Sequence, residues 1–272
     1  MLDDISRTQN EYESKDVVPS EAAEMSGSFQ DSKKPVRMVA AIDFGTSSSG
    51  AAFSTRESFA RDPLKIEFIQ LDKQKGYQKT QTSVLFDEEG FLAFGEQAEH
   101  KFKLLSSKKK KKNLYFFKTF KMQLHGGKVS RIVFQSVFIL CESVKLSKST
   151  KLRSLAGDKE MSCAIVIAAC IEHIKEKAIE RMKEMIPGIE EEIDIHWVLT
   201  VPAIWSEQAR QFMIKAAEKA GIERGNLSLA LEPECAALHC KHELWKTEGQ
   251  TDSSSDPFQE GSQFMVVDLG GM

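Results

Sequence analysis

The chain has 272 residues, of which 41% are hydrophobic and 28% are charged, and its formal net charge is -3. This size and composition predict a globular protein with room for one large domain or two smaller ones. The slightly negative charge gives no overall attraction to nucleic acid or to an anionic membrane surface. No apolar run approaches the ~20 residues of a membrane-spanning helix. We therefore predict neither a specific nucleic-acid partner nor a membrane span.

Residues 1–34 mix acidic, basic and serine residues with almost no apolar periodicity. Such a segment buries too little apolar surface to offset its ordering entropy, so we expect a disordered leader. It lacks the layout of a secretory signal, and the five cysteines form no CxxC pair. This combination predicts reduced thiols in the cytosol, with the nucleus as the alternative. Cys163 and Cys170 lie in a helical stretch and are expected in the core.

Three strands are predicted near the start of the chain, at 38–43, 51–55 and 64–69, where apolar runs alternate with polar turns. Short connections between them predict an antiparallel meander. The first turn carries Gly45 and then Thr46, Ser47 and Ser48. Backbone N–H groups and hydroxyls in such a turn suit a polyphosphate, and the neighbouring Asp43 suits a hydrated magnesium ion. An ordinary Gly/Ser hairpin turn is the alternative interpretation.

Residues 74–154 are interpreted as a subdomain inserted into this meander. Within it we predict a strand at 80–86, a turn at 87–90, a returning strand at 91–94 and a helix that begins at Gly95. Five consecutive lysines, Lys108 to Lys112, favour a solvated loop over a nuclear-localisation or polyanion-binding patch. The aromatic segment 115–122 contains Lys118 and Lys121, which either reach the phosphate turn or are solvated. No element is predicted for 129–153.

The second half of the chain predicts alternating helices and strands. Apolar residues at helical spacing define a long amphipathic helix: Ile167, Ile171, Ile174, Ala178 and Met182. In order we predict helix 161–185, strand 195–201, a helix capped by Ser206 and stopped at Gly221, strand 227–231, helix 235–245 and a strand from Phe264 to Asp268. Asp268 is followed by Gly270 and Gly271, so an apolar strand again leads into an aspartate and glycine, as at Asp43 and Gly45.

Four segments in this order carry a resemblance to a known family: 42–47, 197–203, 231–237 and 267–271. They resemble the first phosphate loop, the T-V-P-A segment, the E-P-x-A-A segment and the second phosphate loop of the seventy-kilodalton heat-shock proteins. The Asp-Phe-Gly-Thr-Ser-Ser loop, the Ala-Ile-Trp of 203–205 and the Phe-Lys-Met of 120–122 are most similar to the divergent heat shock 70 kDa protein 12 branch. The similarity covers about 37–272 and is weak between 108 and 154.

The resemblance implies an α/β, ribonuclease-H-like, actin-type ATPase fold whose two lobes close on ATP and Mg. It implies that Asp43 and Asp268 hold magnesium through water, and that Glu232 belongs to the same carboxylate set. Lys121 or Lys118 matches the cleft lysine, with Lys121 better placed by the Phe-Lys-Met match. The residues implied to bind phosphate are Gly45, Thr46, Ser47, Ser48, Gly270 and Gly271. The implied chemistry is phosphoryl transfer to water.

This family scheme divides the chain into segments. They are a lobe I core at 35–73 and 155–245, the inserted subdomain at 74–154, a loop at 246–262 and the first strand of a truncated lobe II at 263–272. The tail beyond about residue 246 is expected to be poorly packed. We expect slow ATP hydrolysis from a full-length parent and little or none from this chain, with ATP, ADP, protein clients and co-chaperones as partners. The alternatives are a non-catalytic scaffold that retains the fold and a small-molecule kinase of the actin and sugar-kinase superfamily.

Overall fold

The computed structural model describes residues 36–72, 78–107, 113–124, 150–156, 159–190, 194–247 and 261–267. The predicted leader, the lysine run, and Asp268, Gly270 and Gly271 lie outside these residues. The strands are β1 (Met38–Phe44), β2 (Ser48–Thr55), β3 (Glu67–Ile69), β4 (Lys79–Gln81), β5 (Ser83–Phe86), β6 (Phe91–Phe94), β7 (Tyr115–Lys118), β8 (Lys151–Arg153), β9 (Glu160–Ser162), β10 (Ile195–Val201) and β11 (Leu227–Leu231). The α-helices are α1 (Arg56–Arg61), α2 (Gly95–Ser107), α3 (Cys163–Met185), α4 (Glu207–Lys219) and α5 (Glu232–Thr247), and 3₁₀ helices span Phe120–Leu124 and Arg224–Asn226.

The main sheet has six strands in the order β11-β10-β1-β2-β3, with β4 also paired to β2. Strands β1, β10 and β11 run parallel to one another, whereas β2 is antiparallel to β1, β3 and β4. The predicted meander of β1, β2 and β3 is therefore confirmed, and the crossovers through α3 and α4 add the parallel strands. The fold is mixed α/β with a mixed sheet, as predicted at the level of fold class.

One face of the main sheet packs on α3 and α4 to form the core. Alternate residues of β1, namely Met38, Ala40, Ile42 and Phe44, are buried, as the period-two geometry of a strand requires. All five apolar residues that define the helical periodicity of α3 are also buried. Full burial of a large apolar side chain contributes about 1.5–3 kcal/mol, so this face contributes to the stability of the chain.

Several elements differ from the sequence prediction, among them β3, which begins at Glu67 instead of residue 64. β2 begins at Ser48 instead of residue 51, and a short helix, α1, stands between β2 and β3. α1 has no buried residue and is held at its start by the Thr55 side chain, which accepts a hydrogen bond from the Ser58 N–H. A helix that buries no residue has no apolar periodicity to read. α5 begins at Glu232 instead of residue 235, with Pro233 in the first turn, where its missing N–H costs nothing.

The predicted strand at 80–86 is two strands, β4 and β5, which separate at Thr82 and join different sheets. β4 pairs with β2 of the main sheet, and β5 lies between β6 and β7 in a three-stranded antiparallel sheet. That second sheet and α2 enclose a smaller apolar cluster: Leu85, Ala93, Ala98, Leu114 and Phe116. β4 alternates in burial whereas every residue of β5 is buried, and the change of sheet depends on which distant strand each half pairs with.

The two thiols predicted to lie in the core are buried. Burial raises the pKa of Cys163 to about 12 and raises the pKa of Cys170 as well. Both remain protonated thiols that pack as small apolar groups. At the other end of the described chain, residues 261–267 form no strand, so the strand predicted from Phe264 is wrong over its described part. Phe264 and Met265 are exposed, which agrees with the expected poor packing of the tail. No helix among the described residues combines the length and apolar character that a membrane span requires.

His173 of α3 makes ring contacts with two phenylalanines of β6. Its ring centroid lies 5.3 Å from that of Phe91 and 5.7 Å from that of Phe94. Burial lowers the pKa of His173 below its ordinary 6.5, and the Lys177 ammonium lowers it further, while Glu176 and Asp72 partly oppose the change. The imidazole is therefore neutral in the folded chain at neutral pH.

We expect the stability of the chain to fall as the pH drops below 6.5, because the unfolded chain then binds a proton at His173 that the folded chain does not bind. The contribution is complete above the unfolded pKa and is lost between that value and the lower folded pKa. Urea unfolding at a series of pH values measures it. The His173→Phe variant keeps the ring contacts and should show a shallower dependence over that interval; an unchanged dependence in the variant contradicts the assignment.

Candidate functional site

Three parallel strands deliver polar side chains to the same edge of the main sheet. Asp43 is the penultimate residue of β1, Thr200 is the penultimate residue of β10, and Glu232 follows directly after β11. Register pairs Ile42 with Leu199, which places Asp43 beside Thr200. The carboxyl ends of parallel strands are the usual binding edge of an α/β sheet, and the turn between β1 and β2 lies at this edge.

Backbone shape in that turn depends on Gly45. A Cβ atom at Gly45 would lie 2.2 Å from the Ser48 carbonyl oxygen, so no other residue fits without a backbone shift. Thr82, at the break between β4 and β5, holds the turn from behind: its Oγ1 donates to the Gly45 carbonyl at 2.8 Å, and its N–H donates to the Ser47 carbonyl at 2.8 Å. Both contacts fix the turn while its outer surface faces the cleft.

The Asp43 carboxylate has a partner on each oxygen. Thr200 Oγ1 donates to Oδ1 at 3.0 Å, and Lys79 Nζ lies 2.5 Å from Oδ2. The Lys79 and Asp43 side chains are 53% and 36% exposed, so this ion pair lies at the open surface of the cleft. An exposed pair of this kind stabilises a fold by only about 0–1 kcal/mol.

Lys121 forms a second ion pair, and this one is buried. Its Nζ lies 2.5 Å from Glu232 Oε1, with the two side chains 2% and 27% exposed. The ammonium also lies 5.4 Å from the ring centroid of Trp205, at cation–π distance. Lys121 itself does not line the cleft; it contacts the cleft through Glu232. The negative charge on Glu232 is therefore balanced by a buried ammonium that does not itself face the cleft.

Lys118, the other candidate lysine, lies elsewhere. Its Nζ is 2.7 Å from Glu99 Oε1 of α2, on the side of the second sheet. The two lysines are three residues apart, but Lys118 ends β7 whereas Lys121 belongs to the following 3₁₀ helix. Of the two, only Lys121 is joined to a carboxylate of the site.

The cleft has a volume of about 640 Å³, within the ~300–1,000 Å³ typical of small-molecule sites. Six of the predicted site residues line it: Asp43, Gly45, Thr46, Ser47, Ser48 and Glu232. Apolar surface comes from Ala41, Ala52 and Phe68, on the sheet face opposite the core. The structure thus brings the first predicted loop and the predicted Glu232 together on one wall.

The cleft residues that the sequence reasoning missed include Lys79, Thr200, Cys235 and His239. The position of Thr200 could have been found, since it lies near the end of a predicted parallel strand. Lys79, Cys235 and His239 carry no sequence signal of their own. Burial, followed by the Asp43 carboxylate, raises the pKa of the Cys235 thiol, so this residue is protonated and is a poor nucleophile.

The described residues contain no group of three or more His, Cys, Asp or Glu side chains that could hold a metal ion directly. The cleft instead presents oxygen donors from Asp43, Thr200 and Glu232. Magnesium prefers oxygen ligands, keeps several waters and is usually held by one or two carboxylates together with substrate phosphates. The donor set fits a water-mediated magnesium ion and does not fit a closed metal centre.

Comparison with known proteins supports the family resemblance that the sequence motifs indicate. No protein-family model matches the chain. It is 36% identical over 226 residues to human heat shock 70 kDa protein 12B, a match that covers 78% of this chain and 30% of the relative. It is 33% identical over 213 residues to mouse heat shock 70 kDa protein 12A, a match that covers 75% of this chain and 28% of the relative. The chain thus spans less than a third of the length of these relatives. On this similarity, the chain belongs to the heat shock 70 kDa protein family, in the branch of proteins 12A and 12B.

Proposed function

We propose that this chain forms one wall of an actin-type nucleotide site and binds the phosphates of ATP or ADP together with magnesium. The observation that carries the proposal is the convergence of the Gly45–Ser48 turn, Asp43 and Glu232 on one cleft, although they are distant in sequence. The family membership supports the choice of nucleotide as the ligand.

The cytosol, where ATP and reduced thiols coexist, is the expected compartment.

In this scheme the backbone N–H groups and hydroxyls of the turn bind phosphate oxygens, because Gly45 allows a close backbone approach. Asp43 holds magnesium through water, and the Thr200 hydroxyl fixes the orientation of its carboxylate. Glu232 orients the attacking water, and Lys121 keeps Glu232 in place. Bound magnesium supplies charge neutralisation on the phosphates during phosphoryl transfer.

Longer proteins of this type are proposed to hydrolyse ATP slowly and to act on protein clients with co-chaperones. This chain alone is expected to show little or no turnover. The second-loop residues Asp268, Gly270 and Gly271 are proposed to contribute to the same site. The wall described here positions phosphate and magnesium, and positioning with charge stabilisation is most of the catalysis in phosphoryl transfer.

Thermal unfolding of the chain with Mg-ADP and Mg-ATP tests the proposal. Nucleotide that binds only the folded chain stabilises it by about 2.7 kcal/mol when its concentration is 100-fold above Kd, so we expect a concentration-dependent rise in Tm. The Asp43→Asn variant is nearly the same size but loses the carboxylate charge, and the rise should be lost or much reduced.

The control is Lys177→Met, which removes a lysine from an exposed ion pair with Glu180 on α3, away from the cleft. Its response to nucleotide should equal that of the unmodified chain. No rise in Tm with any nucleotide, in any variant, contradicts the proposal and favours a scaffold that retains the fold. A rise with a small-molecule kinase substrate such as a sugar, but not with nucleotide, also contradicts it.

A further inference from the structure

Lys79 is the only lysine or arginine among the described residues that line the cleft. The same lining contains two carboxylates, Asp43 and Glu232. Because the ammonium of Lys121 is buried behind Glu232, it is not presented to the cleft. Among the described residues, Lys79 therefore supplies the one lysine ammonium that a polyanion meets when it enters this cleft without a metal ion.

The backbone of Lys79 is fixed by strand pairing. β4 pairs with β2 so that Lys79 lies opposite Gly50, and a Cβ atom at Gly50 would lie 3.0 Å from Lys79 Cγ. Gly50 therefore leaves room for the stem of the lysine. The next residue, Thr80, accepts a hydrogen bond at its Oγ1 from the Glu96 N–H at the start of α2, 3.2 Å away. The backbone at Lys79 is therefore held between β2 and the start of α2.

The head of the Lys79 side chain is held by an exposed ion pair. Its Nζ lies 2.5 Å from Asp43 Oδ2, yet the side chain is 53% exposed. An exposed pair is weak, and a lysine has a flexible four-carbon stem with a compact charge. Moving the ammonium from Asp43 to another anion in the same cleft costs little.

We propose that Lys79 is a phosphate-binding residue of this cleft, whose ammonium exchanges between the Asp43 carboxylate and the phosphates of a bound nucleotide. This proposal rests on the nucleotide site proposed above. The exchange makes nucleotide binding partly independent of magnesium, because Lys79 supplies a charge that the metal ion otherwise supplies. When no metal is present, the Lys79 ammonium then favours nucleotide binding, whereas the Asp43 carboxylate opposes it.

Titration of the 272-residue chain with N-methylanthraniloyl-ADP, followed by fluorescence anisotropy, tests the proposal in EDTA and in magnesium. In EDTA, Lys79→Met should weaken binding about tenfold, as expected for loss of one charge-assisted hydrogen bond, and Lys79→Arg should restore most of it. In EDTA, Asp43→Asn should bind as tightly as the unmodified chain or more tightly, because it removes a negative charge and releases Lys79. In magnesium the same Asp43→Asn change should weaken binding.

In EDTA, the proposed role predicts weaker binding by Lys79→Met and equal or tighter binding by Asp43→Asn, and this difference distinguishes it from a purely structural role. If Lys79 only held Asp43 in place, both variants would weaken binding, and that outcome overturns the proposal. Equal binding in EDTA by Lys79→Met and the Lys177→Met control also overturns it, while leaving the nucleotide site intact. Absence of binding by every variant, with and without magnesium, overturns the nucleotide site and this proposal together.

Discussion

Replacing Glu232 by alanine is expected to destabilise the chain by about 3 kcal/mol, the lower end of the ~3–5 kcal/mol measured when one partner of a buried ion pair is removed. The reason is the Lys121 ammonium, which is 2% exposed and lies 2.5 Å from Glu232 Oε1. Without the carboxylate, that charge remains inside the fold uncompensated. Urea unfolding followed by circular dichroism measures the loss.

The double variant Lys121→Met/Glu232→Gln should recover most of this stability, because neither charge is then left buried alone. The matched control is the pair of Lys118 with Glu99, which lies at a similar distance of 2.7 Å but with the lysine 39% exposed. Glu99→Ala should cost less than about 1 kcal/mol. Equal losses for Glu232→Ala and Glu99→Ala would show that burial of Lys121 does not set the energy of its pair.

Replacing Gly45 by alanine is expected to cost about 1–3 kcal/mol of stability, the usual penalty for overpacking. The added Cβ would lie 2.2 Å from the Ser48 carbonyl oxygen, and a backbone atom cannot move aside without the turn changing shape. If the turn binds phosphate as proposed, nucleotide binding should also fall at least about tenfold, a change of about 1.4 kcal/mol, because the backbone N–H groups of the turn move with it. Urea unfolding and the fluorescent ADP titration measure the two effects.

The same substitution at Gly50 provides a graded comparison within the same hairpin. There the nearest atoms are 3.0 Å from the added Cβ, and one of them is Cγ of the flexible Lys79 side chain. Gly50→Ala should therefore cost less stability than Gly45→Ala. If the two variants are equally stable, the shape of the first turn does not depend on the contact between Gly45 and Ser48.

Local patterns were sufficient for the elements whose signals lie within the element itself. β10 and β11 have the predicted bounds, because their apolar runs end at Pro202 and Glu232. The Ser206 side chain caps α4 as predicted, by accepting from the Ala209 N–H. Helix α3 buries the face that its apolar spacing defines. Alternation, capping and helical spacing are properties of neighbouring residues, so the sequence displays them directly.

The sequence by itself determined the mixed α/β class, the family and the candidate loop from Gly45 to Ser48. Only the tertiary structure decided which lysine joins the site: Lys121 pairs with Glu232, whereas Lys118 pairs with Glu99. The same holds for Lys79, which contacts Asp43 across 36 positions of sequence. Such contacts depend on strand order and register, which bring distant residues to one edge of the sheet, and no local pattern encodes which distant residue becomes the neighbour.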